Sequence, residues 1–237
     1  MEHYFKSGFF VDIGAHNGVH NNKTLSIAQS LDENGVPLWK GICIEANPLI
    51  FPKLRESRET PYVKCVQECV VSEKNSGKDV EFLISDHPSI YNSQAPWGLA
   101  CGIVPDDDFY NKPDFRFATK EKIDKFCDDT GHPYESIKIK AKSLSQVLEE
   151  ANCPRTIEYM KLDIEGAEEE VLSDFCFAKY DILFLVVEYA TERLYKILCD
   201  NDFIHIGSGV DSHFVNKKNP NFSRQYPVPF TYTGGHQ

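Results

Sequence analysis

Residues 9–18 read Phe-Phe-Val-Asp-Ile-Gly-Ala-His-Asn-Gly, an apolar run that contains one acid and then breaks into a glycine-flanked turn. Nearly unbroken apolar runs are typical of strands that are buried on both faces of a parallel sheet. Gly14 and Gly18 allow positive φ angles and a close approach of the backbone to a ligand. The stretch therefore predicts a central strand followed by a ligand-binding loop or by an ordinary strand-to-helix turn.

The same alternation of strand and helix patterns continues along the chain. Further strands are predicted at residues 39–45, 62–66, 80–84, 159–163 and 182–188, with short ones at 203–206 and 213–215. A first helix is expected to follow a capping segment at residues 21–24, to bury Leu25, Ala28 and Leu31, and to end near Gly35. Other helices are expected after Asn47, after the capping box of Ser143 and Gln146, after Gly166 and after Thr191. This order predicts an α/β fold with a Rossmann-like, doubly wound, mostly parallel sheet.

One stretch, residues 85–136, interrupts the alternation. It is rich in proline and aromatic residues and carries one helical pattern at residues 119–130. A long insertion in a compact domain is usually a lid or a binding loop, although a surface decoration is the alternative. We therefore expect a single domain over residues 1–216 with this lid-like insertion, followed by an extended tail over residues 217–237.

Composition excludes several classes of protein. Asp and Glu number 36 against 25 Lys and Arg, and the formal net charge of -11 disfavours nucleic acid as a partner. No apolar run reaches the roughly 20 residues of a membrane span, and the first residues do not resemble a signal peptide. The eight cysteines lack a Cys-x-x-Cys pair, which favours small buried residues in a reducing compartment over zinc ligands. These patterns predict a cytoplasmic protein without a membrane span.

Acids stand at the ends of four predicted strands, namely Asp12, Glu45, Asp163 and Glu188. Because crossovers between parallel strands are right-handed, the carboxyl ends of these strands meet at one edge of the sheet, where open α/β sheets bind ligands. A single acid at such a position often caps a helix. Four of them together favour a polar ligand with several hydrogen-bond donors.

The glycine turn distinguishes between cofactors. The dinucleotide fingerprint G-x-G-x-x-G requires a middle glycine that this turn lacks. Asp12 would repel a pyrophosphate but attract an ammonium group, and Glu45 can accept hydrogen bonds from ribose hydroxyls. The turn therefore predicts S-adenosylmethionine as the cofactor. A nicotinamide-dependent oxidoreductase and a non-catalytic binding protein that retains the pocket are the alternatives.

Three blocks of the sequence resemble the signature blocks of the FkbM family of methyltransferases. They are residues 9–18, residues 41–48 (Gly-Ile-Cys-Ile-Glu-Ala-Asn-Pro) and residues 159–172 (Tyr-Met-Lys-Leu-Asp-Ile-Glu-Gly-Ala-Glu-Glu-Glu-Val-Leu). Residues 187–189 resemble the block that follows them, and the similarity runs in order over residues 8–216. The resemblance implies a seven-stranded class I methyltransferase fold. It also implies S-adenosylmethionine-dependent methylation, typically of a hydroxyl oxygen on a sugar or other small metabolite.

The resemblance also assigns candidate cofactor-binding residues. It places Asp12, Gly14, Ala15, His16, Asn17 and Gly18 at the methionine end of the cofactor, Glu45 and Ala46 at the ribose, Val71 at the adenine and Asp163 nearest the sulfonium. The chain departs from the family pattern at His16, Ala46, Pro52 and Tyr189. Relatives often carry a histidine at the last of these positions, so Tyr189 is not expected to be the base.

Methyl transfer to a hydroxyl needs an aligned acceptor and a base within hydrogen-bonding reach of its proton. Asp163 is the candidate base by position, with Glu165, Glu188 and His16 as alternatives, and Asp163 could equally hold the ammonium of the cofactor. Asp163, Glu165 and Glu188 would suit a divalent cation as oxygen ligands. We nevertheless expect no metal.

Overall fold

A seven-stranded sheet forms the centre of the structure, a computed structural model that describes residues 5–19, 22, 24–84, 103, 128, 135–188, 190–209 and 211–220. The strands are β1 Gly8–Ile13, β2 Trp39–Ile44, β3 Val63–Val66, β4 Cys69–Val71, β5 Asp79–Ile84, β6 Glu135–Ser143, β7 Thr156–Ile157, β8 Tyr159–Leu162, β9 Asp181–Ile182, β10 Phe184–Glu188, β11 Phe203–Ser208 and β12 Asp211–Asn216. The α-helices are α1 Leu25–Ala28, α2 Phe51–Arg58, α3 Leu144–Glu150, α4 Glu168–Ser173 and α5 Glu192–Asp200.

The order across the main sheet is β11-β12-β10-β8-β1-β2-β3. Among these seven strands, β12 alone runs in the direction opposite to the others. The predicted mixed α/β architecture with a mostly parallel seven-stranded sheet is confirmed. Because β1 pairs with β2 on one side and with β8 on the other, the carboxyl ends of these three strands lie next to one another.

Hydrophobic cores cover both faces of this sheet. Val11 and Ile13 pack into one core with residues of α3, α4 and α5, whereas Phe10 packs into another core with Ile27 of α1 and Leu54 of α2. Side chains alternate between the faces of a strand. Asp12 therefore shares its face with Phe10, on the side of α1 and α2.

The first helix is shorter than the sequence predicts. It ends at Ala28, and its buried residue is Ile27, whereas Leu31 is 55% exposed. Beyond the helix, the side chain of Asp32 accepts hydrogen bonds from the backbone amides of Asn34 and Val36, both at 2.8 Å. These bonds fold the segment into a turn before β2, so the prediction of a helix reaching Gly35 with Leu31 in its buried stripe was wrong.

The helix after β2 begins at Phe51 and carries Pro52 in its first turn. A proline in the first turn costs no hydrogen bond, since the amides there have no partner within the helix. The turn before α2 is closed by Asn47, whose side chain accepts a hydrogen bond from the amide of Leu49 at 2.9 Å. The helix predicted after Asn47 therefore begins at Phe51.

The strand β6 is absent from the sequence prediction. It pairs in parallel with β4 and antiparallel with β5 in a separate three-stranded sheet. The alternation of Ile137, Ile139 and Ala141 with charged residues is a period of two that indicates a strand. The prediction missed this strand because its first residues were assigned to the proline-rich insertion.

Most of the predicted insertion, including the helix proposed at residues 119–130, lies outside the described residues, as does the tail beyond residue 220. Ile103 forms a single bridge to Phe82 of β5 and packs against the core of the three-stranded sheet. Among the described residues, no helix combines the length and the apolar character that crossing a membrane requires.

Candidate active site

The loop that follows β1, residues 14–18, is fixed against the ends of two neighbouring strands. Gly14 has a φ of 78°, and a Cβ atom at this position would overlap the backbone carbonyl oxygen of Asp163. The amides of Gly14 and Ala15 donate to the carbonyl oxygen of Ile44 at 3.0 and 2.9 Å. Only glycine fits between β2 and β8 here, because a side chain would push the loop away from β8.

The other end of this glycine loop is held by α2. Gly18 has a φ of 76°, and a Cβ there would collide with the side chain of Arg58. The Ser57 hydroxyl donates to the carbonyl oxygen of Asn17 at 2.6 Å, and Nη1 of Arg58 donates to that of Gly18 at 2.9 Å. Both glycines of the predicted loop are thus required by packing as well as by conformation.

Asp12 lies beneath the loop and is fully buried. Its Oδ2 accepts hydrogen bonds from Nδ2 of Asn22 at 2.9 Å and from the Thr24 hydroxyl at 2.6 Å. Arg58, which is 4% exposed, donates to Oδ1 of Asn22 and to Oγ1 of Thr24 at 2.9 and 3.0 Å. We call Asp12, Asn22, Thr24 and Arg58 the Asp12 network, since neutral side chains here connect a buried carboxylate to a buried guanidinium.

Glu45 joins the glycine loop to the turn after β2. Its two carboxylate oxygens accept hydrogen bonds from the amides of His16 and Asn47, each at 2.8 Å. Burial raises the pKa of Glu45, against the lowering effect of these amides. Ala46 packs against the core of the three-stranded sheet, in which the side chain of Val71 is fully buried.

A second group of acids surrounds the end of β8. Carboxylate oxygens of Asp163, Glu165 and Glu188 lie within 4.8 Å of one another, and we call these three residues the carboxylate cluster. Burial raises the pKa of Glu188 to about 10, helped by a hydrogen bond to Asp163 and by its charge. Burial and the charge of Asp163 raise the pKa of Glu165 to about 8. The cluster thus holds carboxyl groups that stay protonated at pH values where most carboxyls are ionised.

The backbone around Glu165 is unusual. Glu165 has a φ of 55°, a left-handed conformation that is uncommon outside glycine, and Gly166 follows with a φ of 102°. The amide of Ile164 donates to the Glu168 carboxylate at 2.8 Å, and burial raises the pKa of Glu168 to about 7. Strained backbone of this kind concentrates at functional sites.

A buried lysine lies between the two groups of acids. Lys161 is the register partner of Asp12 across β1 and β8, and its side chain is 4% exposed. Its Nζ is 2.7 Å from Oδ2 of Asp163 and 3.9 Å from Oδ1 of Asp12. Burial lowers the pKa of Lys161, but the charges of Asp12 and Asp163 outweigh burial and hold that pKa above its ordinary value.

The structure therefore brings together the acids at the ends of β1, β2, β8 and β10, as well as Glu165. Val71 belongs to the separate three-stranded sheet, against whose core Ala46 packs, and Tyr189 is outside the described residues. The sequence prediction missed Asn22, Thr24, Arg58 and Lys161. A signal for Lys161 was present, because a lysine within a strand that is buried on both faces requires an acidic partner.

Comparison with known proteins gives one family. Neither the comparison with curated proteins nor that with solved structures returned a match. The model of the methyltransferase FkbM domain matches residues 12–206, a span that begins at the buried acid of β1 and ends within β11. It includes the glycine loop, Glu45 and the carboxylate cluster. The chain therefore belongs to the FkbM family of methyltransferases.

Proposed function

We propose that this methyltransferase uses S-adenosylmethionine to methylate a hydroxyl oxygen of a sugar or another small metabolite. The observation that carries the proposal is the edge of the sheet at which a glycine loop meets five acids: Asp12, Glu45, Asp163, Glu165 and Glu188. An acidic edge attracts the ammonium and sulfonium groups of this cofactor, and it would repel the pyrophosphate of a dinucleotide. An oxidoreductase is accordingly not favoured.

The fit of the cofactor can be judged on the residues present. The glycine loop presents backbone at a place where side chains would not fit, and Oδ1 of the buried Asp12 has no hydrogen-bond partner among the described residues. Because the Asp12 side chain is fully buried, we propose that it acts on the cofactor through the loop above it. Gly14, Ala15, His16, Asn17 and Gly18 would then hold the methionine end.

The remaining cofactor contacts follow the order of the strands. Glu45 and Ala46 would meet the ribose, and Val71 the adenine. The Val71 side chain has no exposed surface, so its contact would need the small sheet to shift or would come from its backbone. Asp163 would lie nearest the sulfonium.

The chemistry is a displacement at carbon. S-adenosylmethionine supplies the methyl group: the acceptor oxygen bonds to the methyl carbon as the carbon–sulfur bond breaks, and the bonding electrons pass to sulfur. A side chain of this protein must take the hydroxyl proton. Asp163 is the proposed base, with Glu165, Glu188 and His16 as alternatives. Glu165, whose pKa is raised to about 8, has a basicity suited to proton transfer near neutral pH.

Calorimetry with S-adenosylmethionine and with S-adenosylhomocysteine tests the cofactor. We expect both to bind with micromolar dissociation constants and NAD to give no heat. Heat with NAD alone would contradict the proposal and favour the oxidoreductase. The acceptor is then sought by mass spectrometry of small-molecule extracts incubated with the protein and a methyl-labelled donor.

The Asp163→Asn variant distinguishes the two roles of Asp163. If Asp163 is the base, the variant keeps its affinity for S-adenosylhomocysteine and loses about 100-fold or more in turnover. If Asp163 holds the ammonium of the cofactor, the affinity itself falls. Unchanged binding together with unchanged turnover would remove Asp163 from both roles.

A further inference from the structure

The carboxylate cluster already has a cation of its own. Lys161 reaches Asp163 at 2.7 Å from within β8, and the β8 register places it between Asp12 of β1 and Val186 of β10. Since strand side chains alternate, Lys161 shares a face of the sheet with Asp12 and with Glu188, which is two residues beyond Val186. The ammonium thus sits on the side of the sheet from which the acids of three strands converge.

Three carboxylates within 4.8 Å of one another repel one another unless protons or cations compensate their charge. In metal-dependent sites a divalent cation with oxygen ligands provides this compensation. Here an oxygen of Asp163 already accepts from an ammonium whose carbon chain is packed in the sheet, at 4% exposure. Such a group cannot move aside easily, because its exit would leave Asp12 and Asp163 without the cation that contacts them both.

We propose that Lys161 is a positioning residue whose ammonium group binds Asp163 where a divalent cation would bind in a metal-dependent cluster. The carboxylate cluster therefore works without a metal. Lys161 fixes the orientation of the Asp163 carboxylate and compensates the charge of the cluster from inside the sheet. Its role in aligning Asp163 for methyl transfer rests on the proposed function. The exclusion of metal from the cluster does not rest on the proposed function, because it is measured without any methyl acceptor.

The test is the response of the purified protein to Mn²⁺ after treatment with a chelator. Wild-type protein should show no Mn²⁺ bound at the cluster by electron paramagnetic resonance and no metal-dependent rise in melting temperature. Lys161→Met removes the charge and keeps the length of the side chain, which leaves the carboxylates open to a cation. With Mn²⁺ in about 100-fold excess over its dissociation constant, the melting temperature of this variant should rise by about 5–10 °C.

Two controls separate the cluster from the rest of the acidic surface. Lys142 also bridges two carboxylates, those of Glu68 and Glu150, but at the surface; Lys142→Met should gain no response to Mn²⁺. Lys161→Arg keeps a cation and should remain insensitive to the metal. If S-adenosylhomocysteine does not bind at all, the proposed function fails while this metal response still stands.

The proposal is overturned by either of two results. One is Mn²⁺ binding to wild-type protein that Glu188→Gln abolishes, because the cluster would then hold a metal despite Lys161. The other is a folded Lys161→Met variant that does not respond to Mn²⁺. If Lys161→Met does not fold, the comparison of wild type with Glu188→Gln still decides between the outcomes.

Discussion

The Asp12 network and the carboxylate cluster lie at the same edge of the main sheet but handle buried acids differently. The Asp12 carboxylate has no exposed surface and is tied by two neutral donors to Arg58. The acids of the cluster are partly exposed and close to one another, and two of them have raised pKa values. A buried acid that is held by neutral donors keeps a fixed place in the structure, whereas acids that compete for protons are available for chemistry.

Gly14 is where the two regions meet, and its substitution should have the largest effect. In Gly14→Ala the new methyl group overlaps the carbonyl oxygen of Asp163, so either the loop or the end of β8 must move. We expect a loss of at least about 4 kcal/mol in the free energy of unfolding, from left-handed backbone strain and overpacking combined. Urea denaturation followed by circular dichroism measures it.

Gly35 provides the matched control, because it has the same φ of 78° and open space around its Cβ position. Gly35→Ala should cost about 1 kcal/mol, the strain of the backbone alone. Equal losses in the two variants would show that the contact between the glycine loop and β8 is not tight.

Arg58→Met tests whether the Asp12 network is structural. The variant removes the buried hydrogen bonds that the guanidinium donates to Gly18, Asn22 and Thr24, and it leaves these acceptors without that donor. We expect a loss of about 3 kcal/mol in the free energy of unfolding, since each buried acceptor left unsatisfied costs about 1–3 kcal/mol. Arg55→Met on the same helix is the control: Arg55 forms an exposed i,i+4 pair with Glu59, and such pairs contribute only about 0.5 kcal/mol. A loss in Arg58→Met no larger than in Arg55→Met would contradict the description of the network.

Glu188→Gln tests whether the carboxyl group of Glu188 stays protonated above the pH at which an ordinary glutamate ionises. The pKa of Glu188 rises from 4.5 to about 10 on folding, so the unfolded chain ionises first as the pH increases. The contribution of Glu188 to the free energy of unfolding of wild-type protein is fully present below about pH 4.5, and it is lost as the pH rises towards about 10. The glutamine variant lacks this loss. The free energy of unfolding of the variant, relative to that of wild type, should therefore increase by about 1–3 kcal/mol between about pH 5 and about pH 9, after allowance for solvent screening. A difference that stays constant with pH would show that Glu188 ionises normally.

Ser57→Ala gives the smallest expected effect. It removes the hydrogen bond from the Ser57 hydroxyl to the Asn17 carbonyl, which anchors the glycine loop on α2. The free energy of unfolding should fall by about 0.5–1 kcal/mol, and the affinity for S-adenosylhomocysteine should fall a few-fold. In Ser30→Ala, which loses only a hydrogen bond to the carbonyl of Ser26, the affinity should not change. If both variants bind equally well, the anchor on α2 is not needed for the loop.

Local sequence patterns predicted much of the fold. The apolar runs gave β1, β2, β8 and β10 with bounds that differ by a residue or two, and the capping residues Ser143 and Thr191 accept the amide hydrogen bonds expected of them, from Gln146 and Leu194. The prediction of α1 was wrong where a polar side chain forms a hydrogen bond other than the expected helix cap. The Thr24 hydroxyl donates to Asp12 instead of capping α1, and the Asp32 side chain closes a turn in place of further helix.

The sequence by itself determined that acids stand at the ends of parallel strands around a glycine turn, because strand periodicity and glycine content are local properties of the chain. Only the tertiary structure decided what each acid does. Asp12 and Asp163 both end apolar strands, but Asp12 meets Thr24 and Asn22 while Asp163 meets Lys161 and Glu188. Asn22 and Thr24 follow the glycine loop, Lys161 lies two residues before Asp163 on the same strand, and Glu188 ends the neighbouring strand β10. Burial and neighbouring charge, which exist only after the strands pair, then set which carboxyls remain ionised.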